Sequence, residues 1–340
     1  MIAGRTPCGE VLTIKRNTKN GDKKERDNMT MSKQQKKAYG KKKDEDNRQR
    51  WFENLADGIR SNNLPWQKPW VGGGGGMPIN LKSKKAYRGG NIITLWVYGM
   101  GEGWTDLRFG TRKQLIDAGL SVKGLKNGSG IPIKYFKSGT YEKENKEGEV
   151  EIRTSYLTRW YEVWCVEQCE NYEAPVVEPH DVVPESVMME QFYQYIDSQS
   201  SLDLKRNGNR AYYSSSDDDI VLPPHEAFTD TLGEVMTAMH ESIHSTGYST
   251  RLNRALGNRF GSPEYAFEEL IAEMGALIVT LSLGGEFKPG AVMEENANNV
   301  AYLQSWLKAC NEQDRALDKA FSDAQKAADY VLDALRGDEE

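Results

Sequence analysis

The sequence predicts an α+β protein, with a mixed helix-and-strand half followed by a mainly helical half that carries a small β element. Three observations point there. Residues 131–137 (IPIKYFK) and 152–167 (IRTSYLTRWYEVWCVE) are dense in β-branched and aromatic residues, the composition of strands. Beyond residue 227 apolar residues recur at helical spacing through long stretches. Between the halves, residues 173–186 (EAPVVEPHDVVPES) hold three prolines, which interrupt both kinds of element. A chain of 340 residues is the usual size for two domains. The expected division is a basic tail at 1–45, a first domain at 46–172, a linker at 173–186 and a second domain at 187–337.

Residues 1–50 carry fifteen Lys/Arg against seven Asp/Glu, and the tail has almost no apolar periodicity, so it is expected to be disordered. The first periodic segment is 46–62, where Trp51, Leu55 and Ile59 fall on one helical face. LPWQKPW and five consecutive glycines, Gly72 to Gly76, then read as a flexible loop. Residues 91–98 (NIITLWVY) suit helix or strand. Residues 111–118 read as a short helix capped by Thr111. The two β-rich runs are joined by a charged stretch expected as a long hairpin loop. In the second half, helices are expected at 186–197, 227–247, 263–283, 290–310 and 312–336, with two short strands within 211–222.

Composition narrows the class. Mean hydropathy is -0.69 and no apolar run is long enough to span a bilayer. The N-terminus lacks the apolar core of a secretory signal, so a cytoplasmic protein without a membrane partner is expected. Cys8, Cys165, Cys169 and Cys310 form no CxxC pair, and packed, reduced thiols are expected. The net charge of -6 is unevenly spread, because the tail is basic and the body acidic.

The segment 231–247 (TLGEVMTAMHESIHSTG) carries the chemistry. Leu232, Met236, Met239 and Ile243 form an apolar stripe, while His240 and His244, four apart, share another face. Two imidazoles one turn apart can both reach one metal at about 2.0–2.1 Å. Glu241 is rotated from them and can approach a water at the metal as general base. This is HExxH, the zincin pattern. A tetrahedral site needs a third protein ligand. Residue 250 is Thr, which excludes a third histidine at the extended-motif position, and His180 and His225 read as surface histidines. The helix 263–283, capped by Ser262 with Pro263 at its first position, offers Glu268, Glu269 and Glu273 within an apolar surround. Glu269 is expected as ligand and Glu273 as the acceptor that orients one histidine, with the reverse order as the alternative. Zinc is the expected metal, and manganese or nickel also suit these donors. Tyr248 and Tyr302 are candidates for stabilising an oxyanion.

In the first half, aromatic residues alternate with cations: Trp66, Trp70, Tyr87, Trp96 and Trp104 with Lys68, Lys82, Lys84, Lys85 and Arg88. Single-stranded nucleic acid is bound by stacking and phosphate pairing, which this mixture suits. The opposing reading is that these tryptophans are core residues. Trp66, Lys68, Trp70, Lys82, Tyr87 and Arg88 are the candidate contacts.

These segments together resemble a known family. GNRAYYSSSDDDIVLPP, MHESIHSTGYSTRLNR, RFGSPEYAFEELIAEMGALIV, NVAYLQSWL and AQKAADYVLDAL resemble the zincin-like domain of ArdC-type antirestriction proteins, a set that includes conjugation proteins related to TraC primases. LPWQKPW, AYRGGNIITLW, TRKQL and WYEVWCVEQ resemble that family's N-terminal single-stranded-DNA-binding domain. The resemblance implies an antirestriction role on a mobile element such as a conjugative plasmid, with single-stranded DNA as partner. It also implies His240, His244 and Glu269 as ligands and Glu241 as catalytic glutamate, in a metallopeptidase-like site whose substrate is a protein such as a restriction-system component. Two other functions remain open: a DNA-binding protein with a structural or vestigial metal site, and a cytosolic zinc metallopeptidase with no DNA role.

Overall fold

In the computed structural model the described residues are 32–60, 76–144, 150–174, 183–259, 262–284 and 313–336. The first element is helix α1, Lys33–Arg60. Its first thirteen residues, 33–45, fall within the tail expected to be disordered. Lys, Gln and Arg are good helix formers. Ser32 and Gln35 also close a reciprocal cap, with Gln35 N–H donating to Ser32 Oγ at 3.2 Å and Ser32 N–H to Gln35 Oε1 at 2.8 Å. Residues 33–50 are almost wholly polar, so no apolar periodicity marks this part of the helix.

Strand β1 (Ile79–Asn80), helix α2 (Gly90–Glu102), strand β2 (Arg108–Gly110) and helix α3 (Arg112–Asp117) follow. The ambiguous run 91–98 is therefore helical. The cap expected at Thr111 is present, with its side chain accepting Gln114 N–H. Strands β3 (Ile131–Glu144) and β4 (Val150–Cys165) pair antiparallel from Ile131↔Val163 out to Glu144↔Val150. The expected long hairpin loop is instead mostly strand, since the Thr, Tyr, Val and Ile within the charged stretch suit pairing. Strand order is β1-β2-β4-β3, with β1 parallel to β2.

The second half opens with α4 (Glu185–Ser198), whose Met188, Phe192 and Ile196 are buried on one face as expected. A three-stranded sheet of order β5-β7-β6 comprises β5 (Asp203–Arg206), β6 (Tyr212–Ser214) and β7 (Asp219–Leu222). Sequence reading missed β5, whose DLKR composition carries no strand signal. Helix α5 (Thr231–Ser245) begins later than expected, because Asp230 caps it by accepting Gly233 N–H at 2.7 Å. Helices α6 (Pro263–Ser282) and α7 (Gln313–Arg336) complete the described elements. The expected helix at 290–310, most of the proline-rich linker and most of the glycine run lie outside the described residues.

One apolar core runs through both halves. Trp51 of α1 meets Phe321 of α7 edge-on at 5.9 Å and Trp160 of β4 at 5.6 Å, and its indole N–H donates to Thr94 Oγ1. Among the described residues no helix is long and apolar enough to cross a membrane.

Candidate metal centre

Helices α5 and α6 are brought into close contact at one glycine. A Cβ on Gly275 would lie 2.8 Å from Ile243 Cγ2, so only a residue without a side chain lets the helices meet there. The contact sets the α6 glutamates against the α5 histidines.

The two imidazoles face each other, His240 Nε2 lying 3.1 Å from His244 Nε2. Glu269 reaches both, with Oε2 3.5 Å from His240 Nε2 and Oε1 3.5 Å from His244 Nε2. Four ligands at about 2.0–2.1 Å in a tetrahedron stand roughly 3.3 Å apart, so these three donors form one face of such a site. Among the described residues, His240, His244 and Glu269 are the one cluster whose ligand atoms converge in this way. The donor set of two imidazoles and a carboxylate fits a divalent metal.

The outer nitrogens of both rings also face carboxylates. Glu273, expected to orient one histidine, has Oε2 3.4 Å from His240 Nδ1, near it but without a hydrogen bond. Glu268 Oε1 is 3.3 Å from His244 Nδ1, a partner that sequence reading named among the glutamates but gave no role. Arg254 fixes Glu268, donating to it from Nη2 at 2.7 Å and anchoring its own guanidinium on the carbonyl of Ile243 and the hydroxyl of Thr246. No sequence signal marks Arg254, because its loop folds back on α5 only in three dimensions.

Burial disfavours charge on the imidazoles, but the glutamates more than reverse this in the metal-free protein. His240 is pushed well above its ordinary value, and His244 is raised to about 9 despite desolvation, by Glu268 and Glu269. Desolvation opposes ionisation of Glu269, yet the two imidazoles hold it well below the usual carboxylate range. Glu241 is different: burial raises its pKa, the imidazoles opposing. The backbone N–H of Tyr213, on the edge strand β6, also opposes that rise, a neighbour invisible in sequence.

The remaining candidates fare unevenly. Tyr248 carries the Arg251 guanidinium over its ring at 4.8 Å, and Tyr302 lies outside the described residues. His225 Nδ1 pairs with Glu234 at 2.7 Å, away from the cluster. Cys165 and Cys169 are buried free thiols, as expected.

Of the candidate nucleic-acid contacts, Trp66, Lys68 and Trp70 lie outside the described residues. Lys82 is exposed, 4.0 Å from Asp117. The Tyr87 hydroxyl donates to Phe109 O and accepts from Asn80, and burial raises its pKa to about 12. Arg88 is ion-paired to Asp329 of α7. Trp96 is fully buried and Trp104 packs on Phe109 at 6.1 Å, which realises the core reading for both.

Comparison with known proteins agrees with this geometry. Residues 190–323 match a family described as zincin-like metallopeptidases, and residues 45–164 match the N-terminal domain of the anti-restriction factor ArdC. Two Escherichia coli proteins named DNA primase TraC are 31% and 33% identical, over 82% of this chain. The chain spans only 19% and 26% of their lengths. An uncharacterized Sinorhizobium fredii protein, y4eC, is 29% identical over 78% of this chain and 85% of its own. Among solved structures, the metal-free antirestriction protein ArdC from the R388 plasmid superposes with a TM-score of 0.63 at 27% identity, covering 86% of this chain and 99% of that one. The Mn(II)-bound form of that protein gives 0.59 over the same coverage.

Proposed function

We propose that this chain, which belongs to the ArdC-type antirestriction family, binds single-stranded DNA through residues 46–172 and hydrolyses protein through residues 187–337. The observation that carries the hydrolytic reading is the triangle of His240 Nε2, His244 Nε2 and Glu269, with sides of 3.1 and 3.5 Å, beside the buried Glu241. We assign zinc to it. Manganese, which the R388 relative binds, and nickel suit the same donors. When bound, such a metal supplies Lewis acidity, acidifying a water and polarising a carbonyl.

The rest is done by this chain's own side chains. Glu268 holds the outer nitrogen of His244 and Glu273 faces that of His240 at 3.4 Å, which favours a lone pair presented inward on each Nε2. Glu241, buried beside the two imidazoles, takes a proton from the attacking water and returns it to the leaving amine. Burial raises its proton affinity, which suits a group that must accept and then release a proton near neutral pH. A restriction-system protein is the substrate class this role calls for. The DNA reading is supported by family membership and by the ArdC N-terminal match.

The deciding experiment transfers unmodified plasmid DNA into a restricting host that expresses wild-type or Glu241→Gln protein. Loss of protection in the variant, with metal content and DNA binding retained, is expected. Full protection by the variant would overturn hydrolysis and leave a DNA-binding protein with a structural metal, the reading to which the rigid hydrogen-bonded cage also lends itself.

A further inference from the structure

The sequence located the nucleic-acid contacts among the aromatics of 66–88. A different surface carries more of what a single strand needs. Between the start of α1 and the outer edge of β4 lies a groove of about 710 Å³. Only Phe109↔Cys165 and Gly110↔Trp164, near its foot, pair β2 with β4, so among the described residues the rest of that edge is not covered by another strand. Helix α1 runs beside it instead, with Asp44 accepting Trp160 N–H at 3.2 Å.

Six cations line the groove: Lys37, Lys41 and Lys43 from α1, Arg112 and Lys113 from α3, and Arg159 from β4. Its two carboxylates are already engaged. Asp44 faces Arg159 at 3.5 Å and Trp160 N–H, while the buried Glu162 accepts from Arg50 at 2.8 Å and Gly128 N–H at 3.2 Å, with Lys43 at 3.8 Å. Lys37, Lys41 and Lys113 have no carboxylate partner among the described residues. The Arg112 guanidinium bonds only neutral acceptors, Leu125 O at 2.8 Å and Asn127 Oδ1 at 3.4 Å. In a chain of net charge -6, four uncompensated cations around one groove need an anion.

Two further observations say what kind. Gly40 sits within α1 on the groove wall, and a Cβ there would meet nothing within 4 Å. Packing therefore does not require the glycine, although it weakens the helix. Its bare backbone admits a close-lying chain between Lys37 and Lys41. On the opposite wall Tyr161 is 45% exposed and stands edge-to-face with Tyr135, also 45% exposed, at 6.0 Å. Exposed aromatics bordering a basic track bind unstacked bases, which a duplex does not offer. Trp160, buried against Trp51, keeps that wall rigid.

Resting on the reading that the first half binds DNA, we infer that single-stranded DNA lies in this groove, its phosphates on Lys37, Lys41, Arg112 and Lys113 and a base on Tyr161. The test uses the full chain and a fluorescent oligothymidylate of about fifteen nucleotides, titrated across salt concentrations. For the Lys37→Ala/Lys41→Ala/Lys113→Ala variant, affinity should fall at least tenfold and the slope of log K against log salt should shrink by about 2, from three lost contacts at roughly 0.7 each. Tyr161→Ala should weaken binding about tenfold with the slope unchanged, because stacking releases no counterions. Lys326→Ala, an exposed cation on α7, should change neither quantity. Wild-type binding that survives in the triple variant with the same slope would overturn the groove and leave the DNA reading standing. Absence of wild-type binding would overturn both, and tighter binding of a duplex of the same length would overturn the assignment to single strands.

Discussion

The two halves of the molecule handle polar groups in opposite ways. In the second half the metal-facing side chains are buried and backed by carboxylates: Glu268, itself held by Arg254, stands behind His244, and Glu273 lies 3.4 Å from His240. In the first half Trp51, Trp96, Trp160 and Trp164 are spent on the core, while Lys37, Lys41 and Lys113 line a surface groove without a carboxylate partner among the described residues. A metal-centred reaction needs donors fixed to a fraction of an ångström, which burial and double anchoring provide. A polyanion bound by counterion release needs charge density, which exposure provides. The contrast implies that single substitutions act sharply in one half and gradually in the other.

The largest expected effect is at Glu241. Glu241→Gln should lower hydrolysis of any protein substrate by about 10²–10⁴-fold, measured as turnover, while metal content by elemental analysis stays at about one per chain. Retained turnover would remove Glu241 from the chemistry. Next, His240→Ala should abolish metal binding, since the remaining two donors cannot close the site; single-stranded DNA affinity should be untouched. A parallel loss of DNA affinity would break the contrast between the halves.

The indirect anchors should have intermediate effects. Arg254→Ala frees Glu268 and, through it, His244, and should weaken metal affinity by about 10–100-fold in a competition titration. An unchanged affinity would show that Glu268 alone suffices. The same carboxylates set a pH dependence. Because the folded His244 value is raised to about 9, its protonated form stabilises the metal-free protein. That contribution is complete below about 6.5 and is lost as pH rises through about 9. Metal affinity should rise over the same interval, as the cation no longer competes with the proton. Calorimetric titrations from pH 6 to about 9 would reveal it, and a flat profile would contradict the assignment of that proton.

The smallest effect is expected where the halves meet. Arg88 pairs with Asp329 but is 66% exposed, and Asp329→Ala should cost no more than about 1 kcal/mol in thermal denaturation. Phe321→Ala, by contrast, removes the ring that packs on Trp51 and should cost roughly 3–5 kcal/mol, showing that core and not charge joins the halves. A larger loss at Asp329 than at Phe321 would reverse that conclusion.

Much of the second half is legible in the sequence because its signals are local. HExxH places two imidazoles on one face by helical geometry alone. Ser262-Pro263 fixes where α6 begins, and the spacing of Glu269 and Glu273 puts both on one side of it. The first half was less legible. Lys and Gln gave α1 an early start that no apolar periodicity announced, and the charged stretch after Lys137 extended the hairpin where a loop was expected. Its tryptophans had two readings that composition cannot separate, and folding chose the core for Trp96 and Trp104.

By itself, then, the sequence determined the α+β class, the pairing of two histidines with Glu241 in HExxH and the pool of nearby carboxylates, since each depends on residues within one or two helical turns. Tertiary structure decided the rest. It took the contact at Gly275 to bring Glu269 to 3.5 Å from both imidazoles, the return of a loop to put Arg254 behind Glu268, and the laying of α1 along β4 to gather distant cations into one groove. These are contacts between segments far apart in the chain, and no local periodicity encodes which of them will meet.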